Sequence, residues 1–390
     1  MNTIPLVESY VADLTSIRHD LHAHPEIGFE EARTSAIVAE LLRSWSIDVH
    51  TGIGGTGVVG VLQGANGSGS RIGLRADMDA LPMNEETGLP YRSRVSSKFH
   101  GCGHDGHTTM LLGAARYLSA TRNFRGTAVF IFQPAEEGLG GARAMLQDGL
   151  FERFPCDEIY GFHNWPDLEL GQVQVFPGPC MAGADFFDIT LHGQGSHAAM
   201  PHMSRDAITA AGSLISSIQS IVSRRINPLK SAVVSITNMR GGFAYNVIPT
   251  EVHLGGCTRY FSEEVRSLVA TELERIIDGC ATTFGIEVDI ALRNIFSVTV
   301  NDKDASMVVT EAASGVVGSS GVSNKPEPSM GSEDFADMLA VVPGAYFFLG
   351  HRGNKPLHHP AYHFDDALIP MGSSILARIV ESRSTTNISF

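Results

Sequence analysis

Residues 105–132 read DGHTTMLLGAARYLSATRNFRGTAVFIF, and this stretch decides the fold. Its first half predicts a helix over 105–120, and its second half a strand over 127–132. Working outward, two more strand-like runs precede it at 58–62 and 72–76, joined by loops that carry Gly, Asp and Ser. Further upstream, helical periodicity fills 4–24 (Leu14, Ile17, Leu21) and 29–45 (Ile37, Leu41, Leu42), with Pro25 and Gly28 between them. Strands alternating with helices predict an α/β layer on a mixed, mostly parallel sheet flanked by helices. Ligands bind such sheets at the strand ends.

A different rhythm begins near residue 184. Strands are predicted at 185–191, 232–239, 251–258 and 286–292, with helices at 204–224 and 262–284. That order is β-α-β-β-α-β, a ferredoxin-like α+β signature. After 294 the first style resumes, with a helix at 302–317, a strand at 346–349 and a helix at 370–383. The reading is a discontinuous catalytic domain, 1–183 and 294–390, interrupted by an inserted domain at 184–293.

Composition limits the function classes. The 390 residues are 43% hydrophobic and 18% charged, with 28 Lys plus Arg against 42 Asp plus Glu, a net charge of −14. A large core is expected, and the acidic balance argues against nucleic-acid or anionic-membrane partners. Five cysteines, at 102, 156, 180, 257 and 280, form no disulfide framework. No apolar run approaches the roughly 20 residues of a membrane span, and the first residues have no signal-peptide pattern. A cytoplasmic globular protein is expected.

The densest chemistry is FHGCGHDGH at 99–107. Cys102 and His104, two residues apart at a predicted helix start, can face one metal or two metals bridged by sulfur. Such a helix end is also expected to lower the thiol pKa. The structural alternative is an N-cap cluster of satisfied polar groups. In FQPAEEG at 132–138, Glu136 and Glu137 follow a buried strand and point different ways, so one can bind metal while the other holds a water. A solvated acidic loop is the plain alternative. Asp77 and Asp79 close the strand at 72–76, as carboxylates orienting metal-bound histidines or as a turn-capping pair. His163 is placed just after a strand at 158–161, and His358 and His359 form a pair near the C-terminus. Taken together, Cys102, His104, Glu137, His163 and His358 are too many donors for one closed tetrahedral site and suit two divalent metals. In the inserted domain, His197 is a candidate oxyanion donor, Asn246 adds an amide and Arg259 could clamp a carboxylate. Each of these three is a weak signal alone.

Nine motifs in order resemble one family: RHDLHAHPEIGFEE (18–31), GLRADMDALP (73–82), GCGHDGHTTMLLGAA (101–115), FQPAEEG (132–138), GFHNWP (161–166), GSHAAMPH (195–202), NVIP (246–249), MGSEDFADM (330–338) and LHHPAYHFDD (357–366). The chain resembles the amidohydrolase branch of the aminoacylase and carboxypeptidase G metallopeptidases, which includes hippurate hydrolases and indole-acetyl-amino-acid hydrolases. The resemblance implies two divalent metals bridged by Cys102, with His104 and His163 on one and Glu137 and His358 on the other. It also implies Glu136 as general base and Asp79 behind the metals. The inserted domain would be a lid and dimerisation domain. His197 would then act in a partner subunit's site, and Asn246 and Arg259 would hold the substrate carboxylate. Asp337-Met338 departs from the aromatic character expected after SEDFA, which bears on the acyl pocket.

The expected reaction is hydrolysis of an N-acyl or N-aroyl amino acid to a carboxylic acid and a free amino acid. A metal-bridging hydroxide would attack, with Glu136 taking and returning the proton. Zinc or manganese is the expected metal, with cobalt or nickel also admitted by the donor set. Three other readings compete: a dipeptidase or carboxypeptidase of the same chemistry, a non-catalytic metal-binding protein, and a thiol hydrolase using Cys102.

Overall fold

The computed structural model describes residues 1–324, 326–353 and 355–383. The chain divides into two compact units, Met1–Cys180 with Thr299–Pro328 and the segment from Asp334 onward, and Met181–Val298 with Ser329–Glu333.

The first unit is built on an eight-stranded sheet in the order Asp48–Ile53, Gly57–Gln63, Thr127–Gln133, Arg71–Asp77, Glu158–Trp165, Gly344–Gly350, Val173–Val175, Val322–Ser323. Its four central strands, Thr127–Gln133 through Gly344–Gly350, run parallel, and antiparallel neighbours flank them. These strands are near-continuous apolar runs because helices cover both faces of a parallel sheet. In TAVFIFQ at 127–133 only Thr127 is not fully buried. The helix His104–Thr121 packs against Val11–Ala23 and Leu368–Arg383, and its residues 104–115 are all buried. Leu111, Leu118, Phe130, Phe347 and Ile375 belong to the resulting core.

Several details differ from the sequence expectation, among them the short strands Val173–Val175 and Val322–Ser323. The helix expected at 4–24 is two pieces, Pro5–Glu8 and Val11–Ala23, and the Ser9 hydroxyl bonds back to the Leu6 carbonyl between them. The strand Asp48–Ile53 was not expected; it forms a hairpin with Gly57–Gln63 through Gly54 and Gly55, both at positive φ. The strand expected at 158–161 continues to Trp165, so His163 lies inside it rather than after it. A parallel partner on Gly344–Gly350 extends the pairing, with Phe348 opposite His163.

The second unit is a four-stranded antiparallel sheet, ordered Ala232–Gly241, Glu251–Tyr260, Gly183–His192, Glu287–Phe296, with the helices Ala207–Ile218 and Glu263–Phe284. The order is the ferredoxin-like one. Its core includes Phe187, Ile189, Leu214, Leu254 and Leu273. The helix expected over 204–224 stops at Ile218 and resumes as a π turn, Ile221–Arg225. Ser216, Ser217, Ser220 and Ser223 all bond back to carbonyls three or four residues earlier, which competes with the helical ladder. At the other end, the Asp206 carboxylate accepts from the Ile208 and Thr209 amides at 2.9 and 3.2 Å. Asp206→Ala is expected to cost about 1 kcal/mol, read as a lowered urea midpoint for the phase that unfolds this unit.

Candidate metal centre

The donors stand where parallel strands end. Glu136 and Glu137 follow Thr127–Gln133, Asp79 follows Arg71–Asp77, and His163 is near the end of Glu158–Trp165. Cys102 and His104 lead into the central helix. Its N-cap is Gly103 at φ +89, where a Cβ would meet Asn164 Oδ1 at 2.3 Å, so only glycine lets the loop approach the strand.

Three groups of candidate donor atoms gather there, each within 4.8 Å: Cys102, His104 and His163; Cys102, Glu137 and His358; His104, Glu136 and Glu137. Cys102 is common to the first two. Cys102 Sγ lies 3.4 Å from His163 Nε2, and Glu137 Oε1 lies 3.3 Å from His358 Nε2. His358, at φ +62, turns toward this cluster, whereas His359 Nδ1 accepts the Ala361 amide of its own loop. All six residues expected at the metals or as base are thus neighbours.

Two histidines are oriented as ligands require. His163 Nδ1 lies 2.6 Å from the Asn164 carbonyl, which leaves Nε2 facing Cys102. His104 Nδ1 lies 3.2 Å from Asp79 Oδ1, and its buried Nε2 has no hydrogen bond among the described residues. A carboxylate or carbonyl bonded to one ring nitrogen fixes the tautomer that presents the other. Asp79 also accepts the Glu137 amide at 3.0 Å, so it braces both sides of the cluster. Thiolate, imidazole and carboxylate donors with an orphaned buried nitrogen fit divalent transition ions.

The protons follow from burial and charge. Burial opposes charge on His104, but Asp77 and Asp79 outweigh it and hold its pKa up at about 10. Burial, then Glu137, Glu136 and Asp77, pushes the Cys102 thiol well above its ordinary range. The expected lowering by the helix end is therefore overturned. Burial and His107 hold His163 well below its usual value, so it is already neutral. Metal entry must release protons from His104 and Cys102. Affinity is expected to rise with pH through neutrality, by roughly tenfold per pH unit for each proton released. Calorimetry in buffers of different ionisation enthalpy counts those protons.

The adjacent trio Asp77, His104 and His107 is a different environment. His107 lies between Asp77 Oδ1 and Asn164 Oδ1, at 2.6 Å from each, and Asp77 also accepts from Arg75 at 2.8 Å. Burial alone would raise Asp77, but His104, His107 and Arg75 outweigh it and hold it well below the usual carboxylate range. Arg75 also donates to Gln133 and Asp334, and Asp334 accepts the Ala142 amide. The SEDF motif thus closes a buried ion network under the sheet end. Asp337, one of the two atypical positions, pairs with Arg143 at 2.7 Å.

A second support was not foreseen. Arg18 donates to Asp105 at 2.9 Å and pairs through Nε with Asp366, linking the residue after His104 to the segment that carries His358. His22 Nδ1 lies 2.8 Å from the same Asp105 oxygen, with its Nε2 3.3 Å from Glu85. Burial opposes charge on His22, yet Asp105 raises its pKa to about 9. The RHDLH motif at 18–22 was visible as a motif, but nothing local tells that Arg18 and His22 are buried.

His197, Asn246 and Arg259 lie in the second unit. His197 pairs with Val247 in a two-stranded ribbon, and the Asn246 carbonyl accepts the Ala198 amide at 2.9 Å. His197 and Asn246 line a cavity of about 870 Å³ together with Phe243, Val247 and Pro249. Arg259 is not on that cavity; its guanidinium donates to the Ser332 hydroxyl.

Residues 73–382 match the peptidase family M20/M25/M40. The chain belongs to that family. The hippurate hydrolase of Campylobacter jejuni is 41% identical, over 97% of this chain and 98% of its own length. The N-acetylcysteine deacetylase of Bacillus subtilis is 38% identical, over 94% and 95%. A Bacillus subtilis protein whose crystal structure is described as a dinuclear metal-binding peptidase from the M20 family superposes with a TM-score of 0.86. It is 34% identical and covers 97% of this chain and 99% of its own. This M20 protein is a metal-dependent amidohydrolase, an enzyme that hydrolyses amide bonds. No helix among the described residues is long and apolar enough to cross a membrane.

Proposed function

We propose that the enzyme cleaves N-acyl or N-aroyl amino acids to a carboxylic acid and a free amino acid. The observation that supports this best is Cys102 shared between two donor groups with Glu136 beside them. His104 and His163 would hold one ion, Glu137 and His358 the other, and Cys102 both. Zinc or manganese suits the set, with cobalt or nickel admitted. Such ions acidify water and polarise the amide carbonyl. Glu136, buried at 7% exposure, takes the proton of the attacking water and delivers it to the leaving nitrogen. Asp79 holds His104 in its ligating tautomer. In a homodimer His197 donates to the developing oxyanion of a partner subunit's site, and Asn246 and Arg259 hold the substrate carboxylate. The second unit is assigned the homodimer contact, and the protein is assigned to the cytoplasm; sedimentation tests the first assignment and cell fractionation the second.

The hippurate hydrolase and the N-acetylcysteine deacetylase are named for acylated amino acids, which supports this substrate class. The test is free-amine release from N-acetyl, N-benzoyl and N-indoleacetyl amino acids and from dipeptides, with a chelated control. Chelator-sensitive release from the acylated compounds alone is expected. Release from dipeptides alone would make the enzyme a peptidase, and silence with full metal occupancy would place its acyl group outside this panel.

A further inference from the structure

The HPEIGFEE segment at 24–31 is absorbed by no step above and precedes the family match at 73–382. Its Glu31 is fully buried. One Glu31 oxygen accepts the Ala135 amide at 2.8 Å, and the other accepts the Thr56 hydroxyl at 2.5 Å. Ala135 stands at φ +54, a left-handed conformation that a residue with a Cβ adopts only when its surroundings impose it. Gly28 packs closely on the same residue. A Cβ at position 28 would meet Ala135 Cα at 2.9 Å and Leu139 Cδ1 at 2.7 Å. Two residues on, the Glu137 amide is held by Asp79. Glu136 therefore sits between two amides, each fixed by a buried carboxylate.

We propose that Glu31 is a positioning residue for Glu136: by holding the Ala135 amide it fixes the left-handed turn that aims the Glu136 carboxylate. The proposal rests on Glu136 being the base. Glu31 touches none of the candidate donors in the hydrogen bonds above, and Asp79 keeps its own hold on the Glu137 amide, so the loss of Glu31 moves Glu136 and not the ions.

The test compares Glu31→Ala, Glu31→Gln and Gly28→Ala in the metal-loaded enzyme. Glu31→Ala is expected to lower kcat by roughly 10- to 100-fold, the scale of a small misplacement of a reacting group, with KM changed by less than about twofold. Metal content should stay at the wild-type value, and amide hydrogen exchange over 134–138 should quicken. Glu31→Gln keeps an acceptor for the Ala135 amide and should recover most of the loss. Gly28→Ala strains the same turn by crowding Ala135 and gives the same signature if Glu31→Ala does not fold. In a Glu136→Gln background, Glu31→Ala should cost no more than about twofold further, because residues acting as one unit are not additive. A wild-type kcat in folded, loaded Glu31→Ala overturns the proposal. So does a loss of equal size in the Glu136→Gln background, since Glu31 would then act elsewhere. An active Glu136→Gln enzyme instead overturns the base assignment, and the double variant still decides on Glu31.

Discussion

Glu136→Gln is expected to leave the protein folded and fully metal-loaded while kcat falls by roughly 100- to 10,000-fold, the range for losing a general base. Glutamine keeps the shape of glutamate and can still accept a hydrogen bond, but it cannot take a proton from water or return one to the leaving nitrogen. Glu136 is mostly buried, and its neighbours in the cluster, His104 and Glu137, have their own supports in Asp79. The substitution should therefore disturb proton transfer without disturbing donors. Steady-state amine release beside metal analysis of the same sample separates the two. Full metal content with near wild-type turnover would remove Glu136 from the base role.

Cys102→Ser is expected to act in the opposite order, with metal content falling first and turnover following it to background. The sulfur belongs to two donor groups at once, so its loss weakens both. A serine hydroxyl is a far poorer ligand than thiolate for the ions that this donor set suits. The competing idea of a cysteine nucleophile makes another forecast: metal retained, activity lost, and no sensitivity to chelators. Burial and three carboxylates hold the metal-free thiol protonated, which disfavours a nucleophile. Metal stoichiometry of the purified variant, with chelator titration of the wild type, decides between them.

The donors were legible because the chemistry is local. Cys102 and His104 sit two residues apart at the start of a readable helix, and Glu136 and Glu137 are adjacent at the end of a strand whose apolar run is itself readable. The supports were less legible because they are long-range and their partners are single charged residues. Arg18, Arg75 and Asp334 look like surface charges until the fold buries them. The thiol misled for a related reason: a helix terminus is a local feature, whereas the carboxylates that outweigh it come from other strands. The serine-rich break after Ile218 escaped notice because helical periodicity in the apolar residues continues across it.

The Arg18–Asp366 pair spans 348 positions of the chain. A ribosome working at roughly 5–20 residues per second needs on the order of 20–70 s to travel between them. Through that interval the arginine that braces the start of the central helix lacks one of its two anionic partners, and His358 is made only near its close. Cys102, His104, Glu137 and His163 all emerge earlier. The donors thus leave the ribosome with His358 last, and metal capture by the full set waits for that residue.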